Sequence, residues 1–415
     1  MSLFRDYRRI ERYVLFAILA EFCVQLVNAT FMNLQTLYMK AEGYHDAEIA
    51  DFISWRFAGV LVFAFPLGMF IRGKKVRPLF RISSAGVPLF ALCILWCVHF
   101  HHDNLLIVSQ WMWGTCFTFI QIPMIPFILR NCSPENRTAA ISLSYSTWSL
   151  AGISSAVFVA VTNHINPVLF SERNLMAAIS VAAFAGVYFV SRVKTEKEPG
   201  VEDKPVSFAA QHDWKLIFSA LFPALIIATG AGLTIPFINL FFSRVHHMET
   251  DVISAWNFCA ALLVAIAALT VPKIKKTIGY RVAVPTTQTF AVVALVLMAT
   301  TELYNHLAIA GVIAVACYII RQPLMNVAGP MTTEISMKYV GKKNREITSA
   351  LAAAIWSGSW FISTRFIFAS LRNIGWPYVD IFLITAAFYM CGIILYVLLI
   401  RSYNRREKAG LITEE

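Results

Sequence analysis

Long apolar runs separated by short polar breaks fill the chain from end to end. The runs fall at about residues 13–38, 49–71, 79–100, 104–129, 138–163, 174–193, 216–243, 251–272, 282–301, 305–333, 347–371 and 378–400. Each is long enough for a helix rising ~1.5 Å per residue to cross a hydrocarbon core of ~30 Å. The pattern predicts an all-α membrane protein with twelve transmembrane helices.

One segment departs from this rhythm. SRVKTEKEPGVEDKPVSFAAQHDWK, at 191–215, is charged and carries Pro199 and Pro205. It divides the spans six and six, so the expected organisation is an N-terminal bundle at 1–193, a linker at 194–213, a C-terminal bundle at 214–401 and a tail at 402–415.

The distribution of Lys and Arg orients the spans. Arg5, Arg8, Arg9 and Arg12 precede the first span, and Arg72, Lys74, Lys75, Arg77 and Arg81 follow the second. Lys273, Lys275, Lys276 and Arg281, then Lys338, Lys342, Lys343 and Arg345, and finally Arg401, Arg405, Arg406 and Lys408 lie on the same side. With Arg130, Arg137 and the linker, about 28 of the 35 basic residues share one face of the membrane. Only Lys40, Arg173, Arg244 and Arg372 fall on the other. The positive-inside rule then places both termini in the cytoplasm of a multi-pass inner-membrane protein.

Composition agrees: 58% of residues are hydrophobic, 14% are charged and the mean hydropathy is +0.63. A net charge of +11 raises the question of nucleic acid, but topology accounts for it and nucleic acid drops out as a partner. The first apolar run is too long for a cleavable signal and has no small-residue cleavage site. The eight cysteines fall in spans or on the cytoplasmic side, where no disulfides are expected. Eight of nine histidines map to the outer side without metal-ligand spacing, so no metal is expected and no cofactor is implied.

An internal repeat can be read directly. SPENRTAAISLSYSTWSLAG leads into the fifth span and GKKNREITSALAAAIWSGSW into the eleventh. Asn136, Arg137, Trp148 and Ser149 match Asn344, Arg345, Trp356 and Ser357 at the same offsets, in topologically equivalent places. The two tryptophans are expected to share a packing role.

On these residues the chain resembles the major facilitator superfamily, and its bacterial members in particular. Gly43-Tyr44-His45-Asp46-Ala47-Glu48-Ile49 looks like the family's first external loop, and Pro272-Lys273-Ile274 with Gly279-Tyr280-Arg281 like its basic loop between helices eight and nine. Gly230-Ala231-Gly232-Leu233 and Pro236-Phe237-Ile238-Asn239 resemble a seventh-helix pattern, and Arg321-Gln322-Pro323-Leu324-Met325-Asn326 a tenth-helix one. There are departures. The loop after the second span reads Gly68-Met69-Phe70-Ile71-Arg72-Gly73, without the family's acidic residue. Gln110 stands where proton-coupled drug exporters carry an arginine, although Gly114 follows in place. The exporters' Gly-Pro pair is missing around Ala151-Gly152. The resemblance implies two pseudo-repeated six-helix bundles, with helices one, four, seven and ten lining a cavity.

Polar groups inside a membrane are costly and mark candidate sites. Glu21, Gln25, Asn28 and Gln35, with Met32 between them, recur at steps of four and three along one face of the first span. They form either a seam of interhelical hydrogen bonds or a stripe that touches solute. Glu21 is the one carboxylate deep within a span. Desolvation penalises its charged form, which makes it the candidate for proton coupling. Arg321, deep in the tenth span, either pairs with Glu21 or clamps an anionic solute through its planar fork. Arg56 and Arg365 sit in the outer thirds of their spans, within snorkelling reach of water, with Glu48 and Asp51 close to Arg56 in sequence. They are candidates for gating or structural charges. Thr118, Gln121, Thr234, Asn239, Gln322 and Asn326 complete the set on the cavity helices.

These features point to a secondary transporter that moves a small solute by alternating access, and not to an enzyme. There is no Walker motif to use ATP, and no HExxH, GxSxG or catalytic-sized loop for a membrane-embedded enzyme. Three intramembrane arginines against one deep carboxylate favour an anionic or zwitterionic solute, and export of hydrophobic drugs is the alternative. The expected partners are that solute, a coupling ion (a proton) and the lipid bilayer, with the protein a monomer.

Overall fold

The computed structural model describes residues 10–71, 74–133, 136–166, 168–193, 213–341 and 344–408. Except for its last residue the expected linker at 194–213 lies outside these, as do Arg5, Arg8, Arg9, Arg72, Lys342, Lys343 and the end of the tail. The chain divides into two compact units, Met1–Pro205 and Val206–Glu415.

The first unit holds α1 (Arg12–Ala41), α2 (Asp46–Phe70), α3 (Arg77–His99), α4 (Asp103–Asn131), α5 (Arg137–Ile165) and α6 (Glu172–Ser191). The second begins with α7 (Trp214–Val245), which tightens to a 3-10 turn at Ile235–Phe237. A helical stretch from Thr250 to Thr300 then kinks at Gly279 and continues into a 3-10 turn at Thr301–Tyr304; it gives the apolar segments α8 (Thr250–Ala267) and α9 (Thr277–Tyr304). After α10 (Ala308–Val340), α11 (Arg345–Ile362) runs through a π-helical turn at Ser363–Phe368 into Ala369–Asn373, and α12 (Tyr378–Lys408) closes the unit. Among the described residues, eleven of these helices are long and apolar enough to cross a membrane, all but α11.

Helix ends follow local chemistry. At the end of α1, Gly43 takes φ +93, Tyr44 N–H donates to Met39 O at 3.1 Å and Gly43 N–H to Lys40 O at 3.1 Å. This pair of bonds is a Schellman turn, which wants a residue without Cβ at the left-handed position. α3 ends the same way with His101 at φ +52, where His102 N–H reaches Cys97 O at 2.9 Å. At the other end of α1, Glu11 accepts from Cys132 Sγ at 2.9 Å and Ser133 N–H at 2.8 Å, and Tyr13 Oη donates to Asn131 O at 2.7 Å. Burial pushes the Glu11 carboxyl up, but these hydrogen bonds outweigh it and hold it below its ordinary value of 4.5. The second unit makes a comparable tie. Asp213 N–H donates to Asn344 Oδ1 at 3.3 Å while the Asp213 carboxylate caps α7 through Leu216 N–H at 3.2 Å.

In lipid, helices associate through close packing and interhelical hydrogen bonds, because tails are as apolar as leucine. Small residues therefore set the crossings. A Cβ on Gly59 would meet Trp111 O at 2.2 Å and one on Gly114 would meet Arg56 O at 2.0 Å, so α2 and α4 touch backbone to backbone. In the second unit, a Cβ on Gly230 would meet Phe388 Cβ at 3.0 Å, and one on Gly232 would meet Ser363 Cβ at 2.9 Å and Trp360 Cα at 3.0 Å. The glycines of the Gly230-Ala231-Gly232-Leu233 pattern thus seat α7 against α12 and α11. Ser363 Oγ seals that second seam by donating to Thr229 O at 2.7 Å.

Helix neighbours correspond between the units. α1 packs on α5 and α6, and α4 on α2 and α3; α7 packs on α11 and α12, and α10 on the α8–α9 stretch. Both α4 and α10 carry two internal prolines, Pro123 and Pro126 in one, Pro323 and Pro330 in the other. Membrane helices tolerate them because neighbouring groups satisfy the freed carbonyls. Trp148 and Trp356 are 54% and 42% exposed, so neither tryptophan is a core residue.

Candidate functional site

The 3–4 spacing on α1 becomes one buried face. Glu21, Gln25, Asn28 and Gln35 are all buried. Their partners lie on different helices. Ser144 Oγ on α5 donates to Glu21 Oε2 at 2.6 Å, and Gln35 Oε1 accepts from Arg56 Nη2 on α2. Gln25 Oε1 is buried without a donor among the described residues. Glu21, 6% exposed, has a single neutral donor and no cation paired with it among the described residues.

Arg56 does not reach outward. It is 3% exposed, and it donates from Nε to Gln110 Oε1 at 3.3 Å and from Nη1 towards Met32 Sδ at 4.0 Å. Its guanidinium carbon lies 4.3 Å from the centre of the Trp113 ring. The expectation of snorkelling fails because the α2–α4 crossing at Gly59 and Gly114 places Arg56 under α4, where two glutamines and an indole take up the side chain. Sequence proximity had suggested Glu48 and Asp51; the observed partners are neutral. On α4, Thr118 is buried and bonded back to Thr115 O at 2.6 Å, while Gln121 is exposed.

Among the described residues of the second unit Arg321 is the deepest charge, at 1% exposed. Its Nη2 donates to Tyr389 Oη on α12 at 3.3 Å, and its Nε finds no acceptor among the described residues. One turn earlier on α10, Tyr318 Oη donates to Asn257 Oδ1 at 2.7 Å, and Asn257 Nδ2 donates to Asn239 Oδ1 at 3.2 Å. Asn239 on α7 is thereby joined through α8 to α10. Thr234 Oγ1 is bonded to Thr385 Oγ1 at 2.8 Å. Gln322 is half-buried; Asn326 is exposed and donates to Gln322 O at 2.9 Å. Arg365 is half-buried in the π-helical turn, 5.8 Å from the Phe366 ring centre.

The structure therefore gathers two polar clusters, one in each unit. In the first, Gln35 and Arg56 meet Gln110 and Trp113; in the second, Asn239 and Arg321 meet Asn257, Tyr318 and Tyr389. Gln121 and Asn326, both exposed, join neither. Ser144, Trp113, Asn257, Tyr318 and Tyr389 were missed from sequence. An intramembrane asparagine such as Asn257 is itself a signal, since an amide in lipid needs a partner. A tyrosine or tryptophan in a span carries none.

A family model described as the Major Facilitator Superfamily matches residues 17–364. The comparison with curated proteins found no match. Among solved structures, a bacterial homolog of the human lysosomal transporter Spinster, inward-facing and unoccupied, aligns at TM-score 0.69 and 13% identity over 95% of this chain and 97% of that one. A D-xylose–proton symporter aligns at TM-score 0.71 and 12% identity, over 93% and 95%. The nucleoside transporter NupG aligns at TM-score 0.70 and 12% identity, over 94% and 99%. At such identities the likeness is one of fold.

Proposed function

This chain belongs to the Major Facilitator Superfamily, a family of secondary transporters, and we propose that it moves a small anionic or zwitterionic solute by alternating access, driven by protons. A transporter of this kind is not an enzyme. The observation that carries the anionic reading is Arg321. A guanidinium cannot shed its charge, and among the described residues of its unit no carboxylate pairs with it; its partner is the neutral Tyr389 hydroxyl, and its Nε is left over. A solute carboxylate or phosphate would supply both the countercharge and the missing acceptor. Gln322 and Asn326 on α10 and Asn239 on α7 are its proposed companions, with Gln25, Asn28, Gln35 and Gln121 as solute contacts of the first unit. Arg365 is assigned a structural charge.

Glu21 is the proposed proton carrier. Its one observed partner, Ser144, can donate to a carboxylate or accept from a carboxylic acid, so the position can hold either protonation state. Two six-helix halves, 1–193 and 214–401, joined by a cytoplasmic linker at 194–213, are the proposed moving parts. The corresponding helix neighbours support that repeat, as do Asn136 and Asn344. These precede α5 and α11 at φ −98, ψ −9 and φ −104, ψ −3. The basic loops support cytoplasmic termini in an inner membrane, and a monomer contains every group invoked.

The test is thermal stabilisation of the purified protein by organic anions, lipophilic cations and neutral solutes. Stabilisation by an anion class in wild type, lost in Arg321→Ala, is the expected result. Stabilisation by lipophilic cations alone would overturn the reading and make this an exporter of hydrophobic compounds.

A further inference from the structure

The first unit buries a guanidinium of its own in surroundings rich in donors and poor in acceptors. Of the five N–H groups of Arg56, one goes to Gln110 Oε1, one to Gln35 Oε1 and one towards the Met32 sulfur at 4.0 Å, a weak acceptor. Two remain. Gln110 Nε2 and Trp113 Nε1 are both buried and find no acceptor among the described residues. Gln110 and Trp113 stand three residues apart, on one face of α4, and both are held against Arg56. Among the described residues no carboxylate pairs with this arginine.

Buried polar groups are nearly always paired, and a buried charge is paired or bound. Here the mismatch has one sign throughout. Every unfilled group in the cluster is a donor, and the one fixed charge is positive. Trp113 offers the guanidinium a π-face, which softens the cost but supplies neither a countercharge nor an acceptor for the remaining N–H groups. The backbone contact of α2 with α4 at Gly59 and Gly114 leaves little freedom for Arg56 to swing to water.

We propose that Arg56, Gln110 and Trp113 form a site for a singly charged anion inside the first unit, a halide ion or a carboxylate group. The two remaining guanidinium N–H groups, the Gln110 amide and the indole N–H are its donors. One positive charge calls for one negative charge, so a multiply charged phosphate fits poorly. All of its donors belong to the first unit, so it does not depend on what the second unit binds.

The experiment uses the full-length protein in detergent in sodium sulfate, whose doubly charged anion the site fits poorly, titrated with sodium bromide. Bromide quenches indole fluorescence by contact, and Trp113 is part of the site. The expected result is a saturable quenching component with a parallel rise in the thermal midpoint, both absent from Arg56→Gln. Gln110→Glu guards against misfolding. It places a carboxylate where Gln110 Oε1 now lies 3.3 Å from Arg56 Nε, and should match or exceed wild-type stability in sulfate while losing the bromide response. Arg321→Ala should keep that response, so failure of the solute reading and failure of this site are separable. Displacement of bromide by acetate would extend the site to carboxylates, whereas no displacement would assign it to halides. Quenching that stays linear in bromide, or a saturable component that survives in both Arg56→Gln and Gln110→Glu, would overturn the proposal.

Discussion

Gly114→Ala tests how tightly the two helices that hold Arg56 are bound. The added methyl would sit 2.0 Å from Arg56 O and 2.9 Å from Arg56 C. A carbon meets a carbonyl oxygen at about 3.3 Å in ordinary close packing, so α2 and α4 must separate locally by more than an ångström. The obstacle is backbone, which cannot rotate aside as a side chain could. Overpacking of this kind costs about 1–3 kcal/mol, and a unit of this size loses roughly 2–4 °C per kcal/mol, so the midpoint should fall by about 2–12 °C. The same separation would stretch the 3.3 Å bond from Arg56 Nε to Gln110 beyond hydrogen-bonding range. The assay is the loss of the monodisperse peak after heating in detergent, with Gly152→Ala as control. No atom lies within 4 Å of the methyl added there, and in a helix interior alanine gains about 0.5–1 kcal/mol over glycine. A Gly114→Ala midpoint equal to or above that of Gly152→Ala would refute the close crossing and the burial of Arg56 beneath it.

Two further outcomes follow from other parts of the fold. Glu11→Gln should destabilise the protein by about 1–2 kcal/mol at neutral pH, less than the roughly 1.5–3 kcal/mol of a buried hydrogen bond to a charged group, because solvent screens a half-exposed site. Because the folded protein holds the Glu11 carboxyl below its ordinary value of 4.5, its contribution is present above that value and disappears as pH falls through the folded one. The stability gap between wild type and variant should therefore close in acid, and a gap that persisted at the lowest pH would remove the charge from the explanation. Glu21→Gln, which keeps the reach to Ser144, should leave solute exchange intact and abolish accumulation driven by a pH gradient in proteoliposomes. Undiminished proton-driven accumulation would exclude Glu21 as the carrier.

The apolar runs were legible because a membrane helix must hide its backbone from lipid for its whole length, and a run of about twenty apolar residues is hard to write any other way. The buried face of α1 was legible for a related reason: a period of three and four residues is a property of the helix, whatever packs on it. Gly43 closes α1 in the left-handed conformation, for which glycine is the favoured residue. His101 does the same work without announcing it.

What the sequence left open is which helix meets which face. Arg56 stands near Glu48 and Asp51 along the chain, yet it binds Gln35, 21 residues away, and Gln110, 54 residues away. Glu21 faces Ser144, and Arg321 faces Tyr389, a residue with no signal of its own. The sequence by itself determined the apolar helices and the polar residues each must carry, because these depend on local periodicity and on the solvent around the chain. The pairing of those residues depends on helix rotation and crossing, set by contacts such as Gly59 with Trp111 O and Gly232 with Ser363. Such contacts are short-ranged and join distant parts of the chain, so only the tertiary structure decided them.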